Sequence, residues 1–133
     1  MTRHHLRVVE AGLWLVIARA LVACLPLHVW RGSLGSITPC HAGNLADMPD
    51  ALALACVHAV ARAAHRMPAS LCLPRAMALQ WMLRRRCIPG QLVLGVKPCQ
   101  RGGLDDLHAW VEMSGTVLMN DSGGAHREVL RLG

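Results

Sequence analysis

Residues 107–121 read LHAWVEMSGTVLMND, two apolar runs on either side of a Ser-Gly pair. No other stretch leaves the chain so little choice. The pattern predicts an antiparallel hairpin with Ser114-Gly115 at its tip, glycine supplying a positive φ. In that register Met113 faces Thr116, Glu112 faces Val117, and facing position numbers sum to 229. His108 then faces Asp121. Opposed Cβ atoms in such a pair lie about 4.5–5.5 Å apart, within side-chain hydrogen-bonding range for His and Asp. His108, Trp110 and Glu112 share one face, and Ala109, Val111 and Met113 share the other. A slip of one residue would put His108 and Asp121 on opposite faces.

A histidine oriented by a carboxylate is the second half of a nucleophile–base–orienter triad. Cys72 is the best placed nucleophile. PASLCLPRAMALQWMLRRR, residues 68–86, reads as a helix start, with Ser70 as candidate cap and Pro74 tolerated only in the first turn. Cys72 then sits at the positive end of the helix dipole, which favours a thiolate, and free backbone N–H groups there can hold an oxyanion. Trp110 is read as lining or supporting the cleft. Arg75, just inside the helix, is read as holding a structural carboxylate or the substrate backbone.

The rest of the chain places helices before strands. Residues 8–30, VVEAGLWLVIARALVACLPLHVW, carry only Arg19 as a charge between Ala11 and Leu27. The run approaches the length of a membrane span, but Arg19 lies near its middle and Pro26 interrupts its end. It is read as a very apolar helix packed on the domain or on a partner, with membrane contact as the second reading. Residues 31–44 form a Gly/Ser/Pro loop. Asp47 or Asp50 caps a helix to about Arg66, and a second runs from about Cys72 to Arg86. After Gly90 come QLVLGVK, LHAWVEM, TVLMN and REVLRL, all strand patterns. The expected fold is α+β: N-terminal helices, then a catalytic helix packed on a small antiparallel sheet. Residues 1–133 are read as one domain, with residues 1–44 an apolar helix and loop and residues 45–133 the catalytic core.

Charge and cysteine usage narrow the function. The net charge of +6 is spread evenly over both halves, which suits an acidic peptide partner or plain solubility. No basic stripe is interleaved with aromatics, so nucleic acid is disfavoured. The six cysteines include no C-x-x-C pair, and no metal site is assigned. No cleavable signal peptide is evident, so a reducing cytosol and free thiols are expected.

LCLPRAMALQWMLRRRCIPGQLVLGV followed by HAWVEMSGTVLMND resembles the transglutaminase-like, papain-related cysteine peptidases. More closely, it resembles the leader-peptidase component of lasso-peptide biosynthesis. The C-L-x-R-[AS] helix start, the G-V strand and the H-A-W-V-E strand carry the likeness, which covers nearly the whole chain. It implies Cys72 as nucleophile, His108 as base and Asp121 as orienting acid. It implies a ribosomal precursor peptide whose leader is removed before an asparagine-synthetase-like cyclase closes the macrolactam. The residues before Cys72 do not read as a winged helix, so the chain resembles the split form, which works with a separate leader-recognition protein. The family's processing is linked to ATP, yet no P-loop is visible, and no ATP site or other cofactor is assigned. Cys87-Ile88-Pro89-Gly90 departs from the family, where glycine follows the basic run; only the helix exit should change. An acyltransferase and an inactive binding module of the same shape are the alternatives.

Overall fold

Pro26 decides where the first helix stops. The residue before a proline is pushed out of the helical region, and Leu25 is extended at φ −129°, ψ 144°. The computed structural model describes residues 2–36, 51–67, 71–96, 107–120 and 127–133, with the side chain of Leu107 excepted. In it α1 spans Arg3–Cys24, so it begins several residues earlier than its apolar run. A short α2, Leu27–Trp30, leads into a 3-10 turn at Arg31–Ser33. α3 spans Ala51–His65 and α4 spans Cys72–Arg84, a turn's fraction shorter than expected from sequence. The strands are β1 Gln91–Val96, β2 Leu107–Met113, β3 Thr116–Met119 and β4 Arg127–Leu132. They form an antiparallel sheet in the order β3-β2-β1-β4. The architecture is α+β, as expected. The candidate caps Asp47 and Asp50 lie outside the described residues.

α4 is the central element. From Ala76 to Leu83 every residue is buried, because α1 and α3 cover it on one side and β1 and β2 on the other. Ala11, Leu15 and Ala18 of α1 close this core from outside. Small residues allow the close approach: α3 buries Ala53, Ala59, Ala63 and Ala64 with Cys56 and Val60. The sheet presents Leu92, Leu94, Ala109, Val111 and Leu132 to the helices. No helix among the described residues is long and apolar enough to cross a membrane.

The exit of α4 replaces glycine by strain. Cys87 has φ +55°, and Ile88 N–H reaches back to Leu83 C=O at 3.0 Å, the six-to-one bond of a Schellman motif whose left-handed residue is commonly glycine. A side chain in that conformation costs about 1–2 kcal/mol. Cys87→Gly should therefore raise stability by about 1 kcal/mol, read as a higher midpoint in urea with an unchanged slope.

Two arginines after α4 anchor α1. The Glu10 carboxylate accepts from Arg86 at 2.6 Å and from Arg85 at 3.1 Å. The hydrogen bond from Arg86 is the main reason that the carboxyl titrates below the ordinary carboxylate value. A group with a depressed folded pKa stabilises above its unfolded value and loses that contribution as pH falls through the folded one. Glu10→Gln should cost roughly 1–2 kcal/mol at pH 7. Thermal melts should show the gap to the parent protein closing as pH drops below about 4.

Candidate active site

Cys72 is the first residue of α4, and Leu71, not Ser70, is the N-cap. Ser70 itself lies outside the described residues. Leu71 offers no side-chain hydrogen bond to the helix, so from that position nothing competes for the first-turn N–H groups. Pro74 is buried in the first turn, where its missing N–H does no harm. The Cys72 side chain is half-buried, as is Arg75 one turn on. Cys72 alone among the described cysteines opens a helix. Cys24 and Cys87 are exposed, and Cys56 is buried in the core, where loss of water pushes its thiol up.

The hairpin forms where expected. Ser114 has φ +50° and Gly115 φ +81°, the two positive values that a two-residue turn matched to strand twist requires. Met113 pairs with Thr116 and Glu112 with Val117, as the sequence predicts. The ladder then slips: Val111 pairs with Met119, and the sum becomes 230. A bulge inserts one residue into β3. The register argument that set His108 directly opposite Asp121 therefore fails beyond Glu112. Asp121 itself lies outside the described residues.

Asn120 directly follows β3, and its role was not evident from the sequence. Its φ is +60°, a left-handed conformation that asparagine tolerates better than most residues. The turned backbone presents the Asn120 carbonyl to His108, whose Nε2 lies 2.6 Å away. A carbonyl can only accept, so Nε2 carries the proton, and in the neutral ring Nδ1 is the basic nitrogen. The Asn120 side chain turns the other way. Its Nδ2 donates to the Cys72 carbonyl at 2.9 Å and to the Ala109 carbonyl at 3.2 Å. One residue thus ties the start of α4 to the histidine strand. The available signal was an asparagine directly after a strand, which marks a left-handed turn but not what it bridges.

His108 is half-buried. Its ring stacks on Trp110, centroids 6.0 Å apart and planes 26° apart. Trp110 is buried and donates its indole N–H to Glu112 at 2.7 Å. The room for this indole comes from Gly95 on β1, which pairs with His108. A Cβ there would lie 2.7 Å from two Trp110 ring carbons. Glu112 also receives Arg131 at 2.9 Å, and Arg131 is held by Glu128 as well. The acid of H-A-W-V-E is therefore committed to a structural ion pair, and Trp110 backs the histidine.

Two carbonyl-anchored elements, a cysteine at a helix start and a histidine with a set tautomer, are suited to acyl transfer through a thioester. The family model of the transglutaminase-like superfamily matches residues 13–131. Searches of the curated proteins and of the solved structures gave no match. The superfamily's chemistry, cysteine peptidase or acyltransferase, fits this arrangement. A match over nearly the whole chain, on the fold described above, places this protein in the transglutaminase-like superfamily.

Proposed function

We propose that the chain is a cysteine peptidase that removes the leader from a ribosomally made lasso-peptide precursor. The observation that carries this reading is the bridge through Asn120, from the Cys72 carbonyl to the Nε2–H of His108. His108 Nδ1 takes the Cys72 thiol proton, and Sγ attacks the carbonyl carbon at the leader–core junction. First-turn N–H groups of α4 face the developing oxyanion. The C–N bond breaks as His108 returns the proton to the leaving amine. Water, deprotonated by His108, then opens the thioester and restores the thiol. Asp121, next to Asn120, acts as orienting acid by sharing the Nε2–H of His108 with the Asn120 carbonyl, and Arg75 holds substrate backbone.

The chain works in the cytosol with a separate leader-recognition protein, ahead of an asparagine-synthetase-like cyclase. A partner that holds both leader and peptidase raises the local substrate concentration, to the millimolar range for a short tether. The test is to incubate full precursor with the purified protein, with and without the leader-recognition protein, and weigh the products. We expect a leader ending in a free carboxyl, released faster with the partner. A leader carrying the mass of an added amine would make the protein a transferase. An intact precursor with the partner present would sink the reading.

A further inference from the structure

α1 has two apolar faces, where a helix lying on a domain needs one. Ala11, Leu15 and Ala18 are buried. On the outer side Leu6, Val9, Leu13 and Val16 are 54%, 61%, 59% and 54% exposed. Ala20 and Ala23, both exposed, continue the row. The six positions alternate spacings of three and four residues. That is the seam of a heptad helix, which takes a second helix by knobs-into-holes packing. It runs for about 27 Å at the helical rise. Scattered exposed apolar residues are ordinary, but a continuous row is not.

A concave trough runs beside the row, between α1 and the C-terminal half of α3. Its volume is about 330 Å³, and Val9, Gly12, Val16, Arg66 and Met67 line it. Gly12 lies in the middle of α1, where alanine would hold the helix better. A Cβ added there would meet nothing within 4 Å. Internal packing thus gives no reason for this glycine, whereas a bare backbone beside a trough lets an outside helix come close.

Among the described residues the charge around the seam has one sign. α3 holds no acidic residue, and the single acid of α1, Glu10, is taken by Arg85 and Arg86. The adjoining hollow is lined by Arg62, Arg66, His4 and His5, with Arg62 in contact with His4. Arg19 is exposed one turn beyond Val16. A second copy of the chain would set these cations against themselves. A lipid surface would leave the trough unfilled, and the seam shows none of the exposed aromatics typical of membrane-surface helices. We propose that the outer face of α1, with the trough beside it, docks an acidic amphipathic helix of a partner protein.

The proposal stands apart from the chemistry at Cys72, so its test reads binding alone. The probe is a synthetic peptide of about three heptads, with leucine at the seam and glutamate flanking it. Calorimetry on the full chain should show saturable one-to-one binding that weakens with salt. Leu13→Glu and Gly12→Leu should each weaken it at least tenfold, with thermal melts showing that both variants fold. Three outcomes would overturn the proposal. One is no saturable binding, or equal binding of the peptide with lysine in place of glutamate. Another is binding to phosphatidylglycerol vesicles in place of the peptide. The third is a dimer by light scattering that Leu13→Glu dissolves.

Discussion

Cys72→Ala is expected to abolish turnover of the precursor, a loss of roughly 10⁴-fold or more, with the fold intact. The first half follows from the chemistry, since no other group at the start of α4 can form the thioester. The second follows from the packing. Cys72 is only half-buried, at the first position of the helix, and alanine is the best helix former. The carbonyl that Asn120 holds belongs to the backbone and survives the substitution. His108→Ala should cost nearly as much activity and some stability too, because its ring stacks on Trp110 and bonds to Asn120. Product masses give the rate, and circular dichroism melts give the fold. Full activity in Cys72→Ala would end the peptidase reading.

Asn120→Ala is expected to lower kcat by about 100-fold, with a smaller effect on KM. Two causes must be separated. The substitution removes both Nδ2 hydrogen bonds, leaving the Cys72 and Ala109 carbonyls without that donor. It also puts alanine at φ +60°, where a Cβ costs about 1–2 kcal/mol. Together these should lower stability by about 2–3 kcal/mol. Asn120→Gly removes the strain but not the lost bonds. It should recover part of the stability and little of the activity. Asn120→Asp keeps the shape but turns carboxylate oxygens toward two carbonyl oxygens, so it should be no better than alanine at neutral pH. If Asn120→Gly were as active as the parent protein, the bridge would be irrelevant to turnover and Asn120 would matter only as a turn residue.

Local chemistry made much of this protein legible. The hairpin tip was readable because only a few residue pairs accept two positive φ values, and Ser114-Gly115 is such a pair. β2 and β4 begin and end where their alternation does. The end of α1 was readable from Pro26, and the odd exit of α4 from a cysteine where glycine was expected. Cys72 at the helix start was readable because proline confines itself to a first turn.

Contacts between distant residues were not legible, because nothing in a residue's neighbours in sequence encodes them. Glu10 and Arg86, 76 positions apart, tie α1 to the end of α4 only once both helices have packed. The bulge in β3 is a matter of how many residues each strand contributes to the same length, which composition does not count. It ended the register that would have set Asp121 directly opposite His108, whose Nε2 meets the carbonyl of Asn120. The same residue reaches the Cys72 carbonyl across 48 positions. Sequence by itself determined which residue types stand at the helix start and on the hairpin. Tertiary structure alone decided what joins them, since a hydrogen bond depends on where two chain segments meet in space.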